Sequence, residues 1–200
     1  MNIKQGVFLI YTEAFEEDIF HDFADDLNQS GIPTMVASRP DPGPQACLEW
    51  LMPTTIVAGI SAGFLSEMGK DLYQHLKVKL SNLTIETMRK PKIEPFLIGT
   101  KGKVFDNNPY SNAFSIYSDA TDGNKFKLLI PKYSLDADYN KIVFAYLDFL
   151  QNYNQGAISA LDIGYDVSKN GYSSIVLVHF NESTNRIEWL SPIPSYVREQ

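Results

Sequence analysis

Short apolar runs alternate with longer amphipathic segments along the first 90 residues. The runs Val7–Tyr11 and Thr54–Ile60 have the length and the apolar content of strands that are buried on both faces. Between them, apolar residues recur at helical spacing over residues 15–27, with acidic residues in the first turn and Gly31 beyond the end, which predicts a helix. Pro33–Ala37 predicts a second strand.

The pattern after the third strand predicts one long helix that reaches towards Met88. Its apolar stripe is formed by Leu65, Met68, Leu72, Leu76, Leu80 and Leu83. Three prolines within residues 40–44 predict a loop, and a short helix is predicted over residues 45–52. Ile93–Ile98 predicts a fourth strand, and the glycine-, asparagine- and lysine-rich residues 99–112 predict a loop.

Two hairpins and one helix are predicted in the rest of the chain. Residues 114–131 predict two strands joined by a tight turn at Asp122-Gly123. Helical spacing of apolar residues covers Asp138–Tyr153. Residues 173–194 alternate between apolar and polar and turn at Asn181–Asn185, which predicts an antiparallel hairpin.

Together these elements predict a single α/β domain. Three strand–helix units in the first half favour a doubly wound, mainly parallel, flavodoxin-like sheet with helices on both faces. We expect residues 1–155 to form this core and residues 156–200 to add the C-terminal antiparallel hairpin. Because ligands of such sheets bind at the carboxyl ends of the strands, the segments that follow the first three strands are expected to meet at one edge.

Composition and charge narrow the class of protein. The 200 residues are 44% hydrophobic, and their apolar runs are far shorter than the roughly 20 residues of a membrane span. Cys47 is the single cysteine, so we expect a cytoplasmic protein without an internal disulfide and without membrane contact. Residues 1–52 hold nine acidic residues against two basic ones within a net charge of −7, which disfavours nucleic-acid binding. The three histidines lack ligand spacing, so no metal is expected.

The segments after the first three strands carry a family resemblance. The relevant stretches are "VFLIYT", the loop "RPDPG" and "TTIVAGIS" followed by "AGFLSEMGKDLYQHL". This order resembles a Toll/interleukin receptor (TIR) domain over roughly residues 1–90, a TIR-like form of the predicted sheet. The matching positions are Phe8, Tyr11, Arg39, Asp41, Pro42, Gly43, Ser61, Phe64 and Ser66. The resemblance implies a signalling or defence module that acts through protein contacts or through a nucleotide-type ligand.

The resemblance also bears on catalysis. TIR enzymes that cleave NAD carry a glutamate about six residues after the serine that matches Ser66, where this chain has Leu72. The nearest acids are Glu67 and Asp71, four residues apart on the predicted helix. A carboxylate is needed there because cleavage of the N-glycosidic bond builds positive charge on the ribose. The departure at Leu72 favours a module without turnover, and NAD cleavage through Glu67 or Asp71 stays open as an alternative.

A second alternative is hydrolysis by Ser61. Gly59-Ile60-Ser61-Ala62-Gly63 spells the G-x-S-x-G of the serine hydrolase nucleophile elbow. Ser61, then Asp162 or Asp166, then His179 has the chain order of that fold, and Asp122-Gly123 resembles the Asp-Gly pair of patatin-like hydrolases. Only two strands precede Ser61, and no glycine-rich oxyanion loop lies upstream. Glycine and serine also suit ordinary strand-to-helix turns.

The expected site is a rim at the ends of the first three strands. Its binding residues are Tyr11, Arg39, Asp41, Ser61 and Ser66, with Glu67 and Asp71 as the candidate catalytic acids. Tyr11, Phe64 and Tyr73 are candidates to stack on a base. NAD is the implied ligand or substrate, no other cofactor is expected, and the expected partner is another protein or a second copy of the chain.

Overall fold

In the computed structural model, the described residues are 5–41, 54–89, 109–171 and 173–192, and they form a sheet of seven strands with helices. The elements in chain order are β1 (Val7–Thr12), a 3-10 turn (Glu13–Phe15), α1 (Asp18–Gln29), β2 (Thr34–Arg39), β3 (Ile56–Ile60), α2 (Phe64–Glu67), α3 (Lys70–Met88), β4 (Tyr110–Asp119), β5 (Lys125–Pro131), α4 (Tyr139–Asn154), a 3-10 turn (Leu161–Ile163), α5 (Val167–Asn170), β6 (Val176–Asn181) and β7 (Arg186–Trp189).

The strands are ordered β2-β1-β3-β4-β5-β6-β7. The pairs β1–β2, β3–β4 and β5–β6 are parallel, whereas β1–β3, β4–β5 and β6–β7 are antiparallel. The predicted α/β class and the C-terminal hairpin are therefore confirmed. The hairpin belongs to the same sheet, because β6 pairs with β5.

The described sheet is mixed, and this changes where its helices lie. In a doubly wound parallel sheet, helices cover opposite faces because the chain moves first one way and then the other across the sheet. Here β3 and β4 run opposite to β1 and β2. The chain also crosses the sheet from β3 to β4 in the direction opposite to its crossing from β1 to β2. These two reversals leave α3 on the same face as α1, where the two helices pack together.

The helix α4 lies on this face too. It packs against α3, and its Phe149 contacts Phe126 of β5 with ring centroids 5.0 Å apart. The predicted helices on both faces are therefore not observed among the described residues. The connections β1-α1-β2 and β5-α4-β6 cross the sheet in opposite directions on one face, so one of them departs from the usual right hand.

The main hydrophobic core lies between this helix face and the three long helices. Alternate strand residues supply the sheet side of the core, and an apolar stripe on each helix supplies the other. Fully buried side chains include Leu9, Phe20, Leu76, Phe126 and Tyr146.

The opposite face of the sheet, here called the second face, is also buried. Its alternate residues include Val57, Leu129 and Leu177, which are at most 9% exposed, and Lys127, which is fully buried. The Lys127 ammonium lies 5.6 Å from the centroid of the Tyr117 ring. The three long helices α1, α3 and α4 pack on the other face of the sheet.

Most predicted elements within the described residues are confirmed, with two local differences. The predicted loop over residues 99–112 overlaps β4, since Tyr110, Ser111 and Asn112 belong to that strand and Tyr110 pairs with Pro131. The predicted long helix is two helices, α2 and α3, separated at Met68 and Gly69, both in extended conformation. The predicted helix at residues 45–52 and strand Ile93–Ile98 lie outside the described residues.

Candidate functional site

The expected rim is divided between two opposite edges of the sheet. Tyr11 and Arg39 lie at the carboxyl ends of β1 and β2, and Asp41 follows. β3 is antiparallel to β1, so Ser61 instead follows the strand at the other edge, where its N–H donates to the Gly6 carbonyl at 3.0 Å. Gly6 and Thr12 are about 20 Å apart along an extended strand. The residues matched to the TIR family therefore do not converge on one site.

The edge at Tyr11 is acidic. Tyr11 is buried against Phe20, with ring centroids 5.2 Å apart. Burial is the largest cause that raises the pKa of Tyr11, and the neighbouring Glu16 and Glu13 carboxylates raise it further. Glu16, Glu17 and Asp18 line an open depression of about 410 Å³ beside it, together with Ile19. This field repels phosphate and favours a cationic group.

Arg39 is engaged with the protein backbone at the same edge. Its guanidinium donates to the Thr54 carbonyl, which joins the end of β2 to the approach to β3. Its Nε is buried without a hydrogen-bond partner among the described residues. Arg39 therefore acts mainly as a tie between strands, and Asp41 lies exposed nearby in the chain.

Packing and backbone conformation explain why both fixed glycines of the G-x-S-x-G stretch are glycine. The ring of Phe8 covers Gly59, where an added Cβ would lie 1.8 Å from the nearest ring carbon. Gly63 has a φ of 74° and caps the N-terminus of α2, a conformation that glycine adopts most easily. The non-glycine residue with positive φ in the described segments is Asn185, so Ser61 is not in the left-handed region.

The predicted partners of Ser61 lie elsewhere in the structure. His179 is on β6, three strands away from β3, and its ring contacts Tyr110 with centroids 5.9 Å apart. Asp162 accepts from the backbone N–H and the hydroxyl of Ser159, both at 2.7 Å. Asp166 caps α5 through Ser168. The predicted hydrolase triad is therefore not assembled.

The candidate acids Glu67 and Asp71 lie on different helices. The prediction placed them on one helix face, but the break at Gly69 puts Glu67 in α2 and Asp71 in α3. Both are exposed, and Glu67 accepts from the Gln5 amide at 3.1 Å. Ser66 donates to the Gly63 carbonyl at 2.8 Å within its own turn.

The Asp122-Gly123 turn forms a polar cluster near this second edge. The Asp122 carboxylate accepts from the Tyr153 hydroxyl at 2.6 Å and from the Asn124 side-chain amide at 2.8 Å. These donors, with the Asn124 backbone N–H, lower the Asp122 pKa although burial acts against them. Thr121, next in the turn, lies across from Gly63, where an added Cβ would be 3.6 Å from the Thr121 methyl group.

Two acid–base clusters that were not predicted from the sequence tie the helices together. In the first, Asp148 of α4 accepts from Tyr73 at 2.7 Å and from Lys77 at 2.6 Å. Tyr73, a predicted stacking residue, is therefore buried between helices, where burial and Asp148 raise its pKa. The four-residue spacing of Tyr73 and Lys77 was the available signal.

The second cluster joins α1 to α3 and contains serine, histidine and aspartate. His75 Nε2 lies 2.8 Å from Asp26 Oδ2 and 3.1 Å from Ser30 Oγ. A catalytic triad uses both ring nitrogens, one for each partner, whereas here one nitrogen serves both. Lys79 also contacts Asp26 at 2.9 Å and, with His75, lowers the pKa of that carboxyl. The cluster is a cross-link between helices.

Partly buried titratable groups also lie on the second face. Burial raises the pKa of Tyr110 and of Tyr117 to about 12. Burial lowers the pKa of His179, which the nearby Glu188 partly offsets. Thr54 and Ser115 share a hydrogen bond between their hydroxyls at the same level. The second face therefore contains polar and titratable side chains that the periodicity of the sequence did not indicate.

The chain matches no protein-family model, no curated protein and no solved structure. The TIR resemblance thus remains a prediction. Within the described segments, no three His, Cys, Asp or Glu side chains are grouped to hold a metal ion. No helix in those segments is both long and apolar enough to cross a bilayer.

Proposed function

We propose that this chain is a TIR-like signalling or defence module of the cytoplasm that acts through protein contacts, without turnover of a nucleotide-type ligand. The observation that carries the proposal is the antiparallel pairing of β1 with β3. It separates the binding residues Tyr11 and Arg39 from Glu67 and Asp71 by the length of a strand, about 20 Å. Cleavage needs the carboxylate and the ligand contacts around one ribose.

The charge around Tyr11 supports protein contact over nucleotide binding at that edge. Glu13, Glu16 and Asp18 are exposed there, and Asp22 and Asp25 continue the exposed acidic surface along α1. Within residues 5–38 there is no lysine or arginine to neutralise them. Such a surface attracts a basic partner and repels phosphates.

The proposal is tested first by assaying turnover. Purified protein at high concentration is incubated with NAD, nicotinamide release is followed by chromatography, and a thermal shift with NAD is recorded. We expect neither release nor a shift. Release that is lost in Glu67→Gln or Asp71→Asn and kept in the control Glu182→Gln would overturn the proposal in favour of NAD cleavage. Ester hydrolysis lost in Ser61→Ala would overturn it in favour of a hydrolase.

The second test addresses protein contact directly. Partners captured from lysate of the source cells by the wild type are compared with those captured by an Asp18→Asn, Asp22→Asn and Asp25→Asn variant. We expect a partner that is lost in this variant and retained by Glu182→Gln, whose exposed acid lies in the β6–β7 turn. Identical partner sets for all three proteins would argue against contact through α1.

A further inference from the structure

The strand β2 is one of the two outer strands of the described sheet, so one of its long sides is a lateral edge, and its backbone N–H and C=O groups point alternately towards β1 and towards this edge. The Val7 N–H donates to the Pro33 carbonyl at 2.9 Å, and Val7 is level with Thr34. In a parallel pair this phase turns the N–H groups of Met35 and Ala37 towards β1. The N–H and C=O groups of Thr34, Val36 and Ser38 therefore point outwards.

The first outward position is already occupied by a side chain. The Asn28 amide accepts from the Thr34 N–H and donates to the Thr34 carbonyl, both at 2.9 Å. This pair of bonds reproduces what a neighbouring strand would provide. No described residue does the same for the outward N–H and C=O groups of Val36 or Ser38.

The outward side of β2 lacks the usual features that prevent the addition of a strand. Thr34–Ser38 contains no proline, no lysine and no bulge, and pairs with β1 in unbroken register. Its three central residues, Met35, Val36 and Ala37, are apolar and only partly buried. Arg39 follows, but its guanidinium is bonded to Thr54.

The charge beside the edge indicates what would pair with it. α1 packs on β2, and Asn28 marks the side of α1 that faces the edge. Asp25 and His21 precede Asn28 by three and seven residues, so they share that side of the helix. Asp25 is exposed, as is Asp18 at the start of α1. Added lysine or arginine side chains would lie in this acidic field.

A second copy fits this edge poorly. Pairing of β2 with β2 about a two-fold axis would bring together the acidic α1 helices of two chains that each carry a net charge of −7. Like charges placed together oppose association. A basic extended segment of a different protein meets no such repulsion.

We propose that β2 binds an extended basic segment of another protein as an added strand, which pairs with Val36 and Ser38 while its basic side chains lie beside the acidic surface of α1. This is β-augmentation, in which main-chain bonds provide affinity and alternate side chains provide specificity. The inference rests on the proposed protein-contact function and names the chemistry of the partner.

The test uses the full chain and a fluorescent ten-residue peptide of alternating valine and lysine, with binding followed by anisotropy in 0.15 M salt. Two further peptides carry backbone N-methyl groups, one on every valine and the other on every lysine. A strand turns alternate N–H groups towards its neighbour, so methylation of one set blocks pairing and methylation of the other does not. We expect at least tenfold weaker binding for one methylated peptide and unchanged binding for the other.

Equal binding of both methylated peptides would overturn strand addition in favour of charge attraction alone, and no binding of the parent peptide would overturn the proposal outright. Ser38→Pro removes one outward donor, and we expect it to weaken binding of the parent peptide about tenfold against the control Ser38→Ala. Asp25→Asn should weaken binding relative to Glu182→Gln. Failure of the peptide with no nicotinamide release would remove this surface alone, whereas nicotinamide release would remove the proposed function.

Discussion

Gly59 and Ser61 belong to the same G-x-S-x-G pattern, and the structure explains that pattern by packing. Gly59 lies under the Phe8 ring, so the absence of a side chain is needed for packing of the second face. Ser61 lies at the strand end, and His179, its predicted base, is three strands away. The glycine pattern is explained without catalysis.

We expect Gly59→Ala to destabilise the fold by about 1–3 kcal/mol, because the new methyl group overlaps the Phe8 ring and the core must shift to admit it. Urea unfolding followed by circular dichroism measures the change. In a Phe8→Leu background the same substitution should cost clearly less. Gly69→Ala is the matched control, since an added Cβ there meets nothing within 4 Å. Equal stability of Gly59→Ala and wild type would contradict this packing.

At the scale of elements, α3 is held on both sides by polar groups. Its His75 and Lys79 bind Asp26 of α1, and its Tyr73 and Lys77 bind Asp148 of α4. The two partners in the Lys77–Asp148 ion pair differ in exposure, because the Lys77 side chain is 7% exposed and that of Asp148 is 51% exposed. The Lys77 ammonium also lies 4.9 Å from the Tyr73 ring centroid.

This asymmetry predicts unequal costs for removing either partner. Asp148→Ala leaves a buried ammonium without its carboxylate and should destabilise the protein by roughly 2 kcal/mol, below the range for fully buried pairs because Asp148 is half exposed. Lys77→Met replaces the cation with an apolar chain of similar size and should cost less than about 1.5 kcal/mol. Chemical denaturation measures both, with exposed Asp136→Ala as the control. A larger loss for Lys77→Met would show that the cation itself stabilises the helix pair.

At the scale of the whole molecule, the C-terminal hairpin continues the main sheet, because β6 pairs with β5. Val176, Leu177 and Val178 of β6 are at most 1% exposed, and they pair with or pack beside β5. The helix α4 contacts both β6 and β7. The described residues after 155 therefore complete the core that the described residues before them begin.

We expect a chain that ends at residue 155 to lose cooperative unfolding, because β5 becomes an edge strand and the apolar side of α4 loses part of its cover. The full chain should unfold in one transition in urea when fluorescence and circular dichroism are followed together. A shortened chain that keeps a single sharp transition would show that residues 1–155 fold as an independent unit.

The helices and strands could be predicted from the sequence because the patterns that indicate them involve residues close together in the chain. The apolar spacing that predicted α1 and α4 is a property of one helix, and the turn residues were equally direct. Gly123 and Asn185 adopt the positive φ values, 89° and 55°, that the two predicted hairpin turns require. Even the α2–α3 break had a signal in Gly69, which the longer leucine stripe obscured.

The sequence by itself determined the α/β class, most of the elements and the acidic character of the first half, because periodicity, turn chemistry and charge are written in neighbouring residues. Only the tertiary structure decided that β3 runs antiparallel to β1, since an apolar strand buried on both faces carries no local signal of its direction. That one direction placed Ser61 and Tyr11 at opposite edges and α3 on the same face as α1. The candidate site divided for the same reason, because convergence of distant residues depends on pairings between strands that are remote in the chain.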